Sequence, residues 1–252
     1  MIEFSHVTVR YGAYTAVEDV TLSIPRGKVT VFAGPNGCGK TTLLKAAARL
    51  LPLAGGEITC GGKPLSAYGR REFAKTLSVL PQGREALPIS VETLVMHGRF
   101  PYLGLSRKPT PRDRAIVRRA MELAGIFPLR EKPVTALSGG ERQKAYIAMA
   151  VAQDTPVLLL DEPTTYLDIG RQFEILDTVR ALRKQGKTIL MVLHDLPQAL
   201  ETADRLAVFD AGRLLFSDTP QRVLESGVLQ RTFSVRIVPV PGGGYCCQPL
   251  RR

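Results

Sequence analysis

No stretch of this 252-residue chain approaches the roughly 18–20 consecutive apolar residues that a membrane-spanning helix needs. Its longest apolar runs, residues 157–160 and 189–193, are strand-sized. The start, MIEFSHVTVR, lacks a basic segment followed by an apolar one, so no secretory signal is expected. Cysteine is scarce: Cys38, Cys60, Cys246 and Cys247 are too few and too irregularly spaced for a disulfide framework or a zinc site. The vicinal pair reads as two reduced thiols in a C-terminal strand or tail, and the chain as a cytosolic one. Internal repeats and low-complexity segments are lacking too. What is present, 44% hydrophobic and 23% charged residues, is the composition of a globular protein with a sizeable core.

Acidic residues are also in short supply. The 34 Lys and Arg against 23 Asp and Glu leave a net charge of +11. Such a balance fits nucleic acid, an anionic membrane surface or an acidic partner. Its location narrows the choice. Residues 99–119 hold seven bases and one acid, and residues 230–252 hold four bases and no acid. These two segments carry nearly the whole excess, and the remainder of the chain is close to neutral.

Hydrophobic periodicity divides the chain into three stretches. The first 30 residues read as short strands, with Val20, Leu22 and Ile24 alternating before a turn at Pro25-Arg26-Gly27. Residues 29–33 form an apolar strand, 34–39 a glycine-rich loop, and 41–51 a helix stopped by Pro52. Between 83 and 156 helical patterns dominate, including 112–124 with Ile116, Ala120 and Leu123 on one stripe and Gly125 as its stop. Past Pro156, apolar strands at 157–160 and 188–193 flank a helix at 173–185. Strands apolar throughout suit a parallel sheet covered on both faces. The expected fold is an α/β core interrupted by a helical insertion, with a strand-rich tail from about residue 206.

Two motifs in that core carry chemistry. Gly34-Pro35-Asn36-Gly37-Cys38-Gly39-Lys40-Thr41 fits G-x-x-x-x-G-K-[ST] and lies between a strand and a helix. Glycines let the backbone turn its N–H groups onto a β-phosphate, and the helix N-terminus adds partial positive charge. Lys40 can bridge the β- and γ-phosphates, while the Thr41 hydroxyl suits Mg²⁺, a hard cation that prefers oxygen. The second motif, Leu158-Leu159-Leu160-Asp161-Glu162-Pro163, sets two acids at the carboxyl end of a buried strand, where α/β sheets bind ligands. Asp161 would hold Mg²⁺, and Glu162 would polarise the water that attacks the γ-phosphate.

A third motif separates families. Leu137-Ser138-Gly139-Gly140-Glu141-Arg142-Gln143 precedes the acidic strand by some twenty residues and resembles the signature of the ATP-binding cassette (ABC) ATPases. Physically it is another anion site, with Ser138 as N-cap, two glycines and a helix over 141–152. The resemblance extends over nearly the whole chain and implies a P-loop NTPase fold of ABC type. That fold comprises a RecA-like core, an N-terminal antiparallel β-subdomain and an inserted helical subdomain. One ABC domain then spans 1–252, with a core of 1–82 plus 157–230, a helical signature subdomain at 83–156 and a basic tail at 231–252. It also implies ATP and Mg²⁺ as cofactors. Tyr11 corresponds to the aromatic that stacks on adenine, and Thr42 belongs with the phosphate loop. Gln82 corresponds to the glutamine that reaches Mg²⁺, His194 to the histidine at the γ-phosphate, and Asp168 to the acid of the loop touching a partner subunit. His6 and His97 read as structural.

In that family ATP is sandwiched between the phosphate loop of one subunit and Ser138–Gly140 of a second. The implied partners are therefore a second ATPase subunit, membrane permease subunits and, indirectly, an extracytoplasmic binding protein, with no nucleic acid. The implied location is the cytoplasmic face of the bacterial inner membrane. Three stretches resemble the ATPases of iron-siderophore, haem and cobalamin importers: His97-Gly98-Arg99-Phe100-Pro101-Tyr102, Gln153-Asp154-Thr155-Pro156-Val157-Leu158-Leu159-Leu160 and Asp161-Glu162-Pro163-Thr164-Thr165-Tyr166-Leu167-Asp168-Ile169. The last is most like the iron-siderophore members. Pro197, after His194-Asp195-Leu196, departs from the usual Asn, but proline is tolerated in a first helical turn. ABC ATPases that act on DNA carry a long coiled coil between phosphate loop and signature. Here only 97 positions separate Lys40 from Leu137, without sustained heptads. Ribosome-associated types usually carry two cassettes, and this chain has one. An inactive subunit would show damage at Glu162, Gln82 or His194, all of which are intact. The basic residues 107–119 then read as either a solvated helix face or a face toward anionic lipid or acidic permease loops.

Overall fold

The computed structural model describes residues 1–80, 86–104 and 108–250. In chain order it begins with β1 (Ile2–Tyr11), β2 (Tyr14–Ile24), β3 (Val29–Ala33), α1 (Lys40–Ala47), β4 (Gly55–Cys60), β5 (Lys63–Pro64), α2 (Arg70–Thr76) and β6 (Leu77–Leu80). Next come α3 (Val91–His97), α4 (Pro111–Leu123), α5 (Gly139–Ala152), β7 (Val157–Asp161), α6 (Ile169–Lys184) and β8 (Thr188–Val192). The remainder is α7 (Leu196–Thr202), β9 (Arg205–Asp210), β10 (Arg213–Asp218), α8 (Pro220–Glu225), α9 (Val228–Phe233), β11 (Val235–Pro239) and β12 (Tyr245–Pro249). Two compact units result, one formed by Met1–Tyr68 with Thr188 onward, the other by Gly69–Lys187. No described helix is long and apolar enough to cross a membrane.

The first unit holds an antiparallel sheet in the order β2-β1-β4-β5 and a parallel arrangement in which β3 lies between β8 and β9. Both β3 and β8 are buried at every residue, Thr30 and Thr188 included, as their predominantly apolar sequences lead one to expect. Phe32 meets Phe4 and Phe209 edge-on, with ring centroids 6.4 and 4.9 Å apart, and these three rings anchor the core.

The opening segment forms two strands of 10 and 11 residues, not the short strands that its interrupted alternation suggests. The interruptions are bulges. His6 and Asp19 take positive φ values of 52° and 51°, shifting the register without ending the ladder. Thr21 and Thr8 hydroxyls accept their backbone N–H groups at 3.1 and 3.2 Å. Helix α1 stops at Ala47, four residues short of the expected end. Arg49 takes a φ of 58°, and the N–H groups of Leu50 and Arg49 close on Lys45 O and Ala46 O at 2.9 and 3.0 Å. This is a Schellman closure without its usual glycine, which is why Pro52 looked like the stop. The tail past residue 206 also differs from expectation, since α8 and α9 separate β10 from the β11–β12 hairpin.

In the second unit β6 and β7 run parallel, and α3, α4 and α5 pack on one another. Helix α4 opens with a capping box in which Thr110 and Asp113 satisfy each other's backbone N–H, and it buries Asp113, Val117, Ala120 and Met121. One base of the 99–119 excess lies inside. Arg99 is 3% exposed and Asp113 6%, and their side chains meet at 3.0 Å. Arg99 also donates to Ala152 O at 2.9 Å and lies over the Tyr102 ring. Arg99 thus leaves the basic surface segment, whereas Arg112, Arg114, Arg118 and Arg119 stay exposed along α4. Arg107 lies outside the described residues.

Burial pushes the Asp113 carboxyl up, but the Thr110 hydrogen bonds and the Arg99 guanidinium outweigh it and hold the group below its usual value. The native state therefore binds fewer protons than the unfolded chain in acid. The pair's stabilisation is complete above the ordinary carboxylate pKa of about 3.9 and fades as pH falls through the lowered native value. Asp113→Asn, which strands a buried guanidinium, is expected to cost about 3 kcal/mol at neutral pH. Urea unfolding of both forms should show that gap shrinking below about pH 4. A gap independent of pH would remove the ion pair from this role.

Candidate functional site

The phosphate loop is built by β3, α1 and their neighbours. Strand β3 ends at Ala33, the loop turns through residues 34–39, and Gly39 forms the left-handed N-cap of α1 with φ 97°. A Cβ on Gly39 would come within 2.5 Å of Ala16 O and 3.1 Å of Val17 Cγ2, so β2 backbone leaves room only for glycine. Lys40 is 4% exposed. Its ammonium donates to the carbonyls of Gly34 and Pro35 at 2.7 and 2.8 Å and lies 3.6 Å from Cys38 Sγ. Burial raises the Cys38 thiol above its ordinary pKa, with Lys40 opposing, so the sulfur is a neutral packing group. Asn36 and Gly37 are the exposed residues of the loop, and Thr41 and Thr42 follow Lys40 in the first turn of α1. Tyr11 ends β1 half-exposed, its hydroxyl 3.5 Å from Thr42 Oγ1, beside the first turn of α1.

His194 emerges from the same edge. Since β3 and β8 are parallel, with Phe32 opposite Val192, their carboxyl ends coincide, and Leu193 N donates to Phe32 O at 3.3 Å. His194 follows exposed, and Asp195 caps α7 through Gln198 N at 2.8 Å. Pro197 occupies the first turn of α7, where its missing N–H is harmless.

The second unit gathers the acids and the signature. Asp161 ends β7 and is 1% exposed. Glu162 takes φ 49°, an unfavourable region for a side-chain-bearing residue, and its Oε2 accepts from Thr165 Oγ1 at 3.1 Å. The next carbonyl, Pro163 O, accepts from the buried Gln143 amide of α5. Ser138 caps α5 as expected: its Oγ accepts from Glu141 N at 3.3 Å, and Glu141 returns the bond to Ser138 N at 2.8 Å. Hydrogen bonding from Ser138 holds the Glu141 carboxyl below its usual pKa. Gly139 and Gly140 form the first turn. Asp168 caps α6 through Arg171 N at 3.0 Å. Gln82 lies outside the described residues.

Three side chains with no role assigned by sequence reasoning tie this cluster together: Thr165, Gln143 and Arg171. Arg171 joins the two caps, with Nη1 donating to Ser138 Oγ at 2.9 Å and Nε 3.1 Å from Asp168 Oδ2. Sequence reasoning began this helix at residue 173, whereas α6 starts at Ile169, so neither the Asp168 cap nor the contact across 33 positions was anticipated.

Comparison with known proteins agrees with this arrangement of motifs. A family profile described as "ABC transporter" matches residues 17–165, phosphate loop through acidic strand. The chain belongs to the ABC transporter ATP-binding family. As an ABC ATPase chain it binds nucleotide. It is 41% identical over 239 residues to the achromobactin transport ATP-binding protein of Dickeya dadantii, covering 93% of this chain and 89% of that one. It is 41% identical to the iron(3+)-hydroxamate import ATP-binding protein of Bacillus subtilis, with 90% and 85% covered. The ferric enterobactin transport ATP-binding protein of Escherichia coli is 38% identical, with 94% and 89% covered. Among solved structures, a metal-chelate type ABC transporter in an inward-facing conformation superposes with TM-score 0.84 over 100% of this chain and 98% of that one, at 23% identity. The ADP-bound ATP-binding cassette MJ1267 gives 0.82 at 20% identity, with 92% and 98% covered. At those identities the superpositions speak for the ABC ATPase fold alone.

Proposed function

We propose that this ABC ATPase powers the import of iron(III)-siderophore chelates through membrane permease subunits. The observation that carries the reading is near-full-length similarity, at 38–41% identity, to ATP-binding proteins named for achromobactin, iron(3+)-hydroxamate and ferric enterobactin transport. The functional division is a catalytic core of 1–82 plus 157–230, a helical signature subdomain of 83–156 and a basic tail. The chain works at the cytoplasmic face of the membrane as a dimer, and an extracytoplasmic binding protein delivers the chelate.

In this reading the adenine stacks on Tyr11, which is exposed beside α1. The N–H groups of residues 34–42 and the Lys40 ammonium hold the phosphates. Lys40 exchanges its bonds to Gly34 O and Pro35 O for phosphate oxygens, so no buried cation is left unsatisfied in either state. The resemblance assigns magnesium to Thr41, Asp161 and Gln82, residue types that carry the hard oxygen donors this cation prefers. Bound there, the metal would neutralise charge developing on the terminal phosphates. Glu162, aimed by its positive φ and by Thr165, accepts the proton of the attacking water, and His194 contacts the γ-phosphate. Ser138, Gly139 and Gly140 of the second subunit close over the same phosphate, while Asp168 lies at the subunit boundary. An exposed stripe of Tyr166 (97%), Ile169 (71%) and Phe173 (45%) flanks Asp168, a surface that burial by a partner would stabilise.

The experiment is reconstitution of the ATPase, purified in mild detergent with its permease, into liposomes loaded with ATP. ATP-dependent accumulation of radiolabelled ferric hydroxamate, catecholate or carboxylate chelates is the expected result. Uptake of haem or cobalamin in place of every ferric chelate would overturn the substrate. A protein that never co-purifies with a permease would overturn transport itself.

A further inference from the structure

We infer that Arg171 is a positioning residue that converts the signature serine into an obligate hydrogen-bond donor toward the terminal phosphate held by a second copy of the chain. The inference rests on the dimer reading above and assigns a task to a side chain which that reading leaves unused.

The argument starts from the hydroxyl. A serine oxygen has two lone pairs and one O–H. Ser138 Oγ accepts from Glu141 N at 3.3 Å and from Arg171 Nη1 at 2.9 Å, which engages both lone pairs. Its hydrogen is left to donate, and so requires an acceptor. Without Arg171 the hydroxyl could rotate and accept from water or another donor instead. A phosphate oxygen is acceptor-only and fits this polarity.

Arg171 is itself held in place. Asp168 accepts the Arg171 backbone N–H with Oδ1 at 3.0 Å and lies 3.1 Å from Nε through Oδ2, so one carboxylate fixes both ends of the residue. Gly140 supplies the space: a Cβ there would fall 2.5 Å from Arg171 Cδ and 2.5 Å from Nη1. Signature glycine, signature serine and the Asp168 cap thus form one interlocked unit. The charge points the same way. A guanidinium beside the positive end of the 14-residue helix α5 is electrostatically unfavourable until an anion arrives. Asp168 and Glu141 offset part of that cost in the free chain, and a terminal phosphate would reverse it.

The test uses the full-length chain carrying Glu162→Gln, with ATP-dependent dimerisation read by light scattering. Adding Arg171→Ala should weaken dimerisation roughly tenfold or more, the scale of one lost charge-assisted hydrogen bond. Nucleotide binding by the dilute monomer, which involves Lys40 and Tyr11 of the same chain, should be unchanged. Arg171→Lys should recover part of the loss, because it keeps the charge but not the fork. The decisive comparison is a double-mutant cycle with Ser138→Ala. If Arg171 acts through Ser138, the double variant resembles Ser138→Ala alone. Additive losses, or dimerisation indifferent to Arg171, would overturn the inference and leave the dimer reading intact. A Glu162→Gln chain that stays monomeric with ATP would instead bring down the dimer reading, and this inference with it.

Discussion

Glu162→Gln is expected to abolish turnover while preserving MgATP binding, so that a nucleotide-bound dimer accumulates. The substitution keeps the size of the side chain, and its carbonyl oxygen can still accept from Thr165 Oγ1, now 3.1 Å from Glu162 Oε2. Backbone strain at φ 49° is the same for both residues. What disappears is the ability to take a proton from the attacking water. Positioned general bases contribute about 10²–10⁴-fold, so phosphate release should fall by at least about a hundredfold. Size-exclusion chromatography with ATP should show a dimer that the unsubstituted chain, which hydrolyses its nucleotide, does not retain. A chain that remains monomeric, or releases phosphate at an undiminished rate, would remove Glu162 from the catalytic role.

Lys40→Ala should act one step earlier, on nucleotide affinity itself. The ammonium is buried and bonded to two carbonyls, so phosphate oxygens would replace existing bonds and not create them from nothing. The gain comes from exchanging neutral carbonyls for ionised phosphate oxygens, which accept about twice as strongly. Hydrogen bonds to charged groups contribute about 1.5–3 kcal/mol each, so losing the lysine should raise the ATP dissociation constant by roughly a hundredfold or more. Titration with a fluorescent ATP analogue measures this directly. An unchanged constant would refute the assignment. Thermal melting without nucleotide provides the control, since the variant also leaves the carbonyls of Gly34 and Pro35 without their donor.

Much of the site was legible because its rules are local. The phosphate loop needs a strand, a glycine turn and a helix in immediate succession, and 34–41 supplies them. The Ser138 cap of α5 closes onto Glu141 within three residues. Strands β3, β7 and β8 announced themselves by compact apolar runs without polar alternation, which suit burial on both faces. The failures share a cause as well. Bulges at His6 and Asp19 and the glycine-free stop at Arg49 are backbone conformations that composition does not encode uniquely. They were settled by hydrogen bonds to Thr8 and Thr21 and by closure onto Lys45 and Ala46.

The charge distribution shows the same boundary. Counting along the chain included Arg99 in the basic excess of 99–119, because a count cannot see that Asp113, 14 positions on, turns inward to meet it. The exposed arginines of α4 keep the surface reading, and Arg99 becomes part of the core. Arg171 is the functional counterpart: sequence places it three residues after Asp168, and only packing brings it to Ser138. The nucleotide motifs could be read along the chain, since phosphate loops, acidic strand ends and helix caps are assembled from near neighbours. Tertiary structure alone decided which distant charges neutralise one another and which way the signature hydroxyl must point. Those outcomes depend on the path of the backbone between residues far apart in sequence, and no spacing rule contains that path.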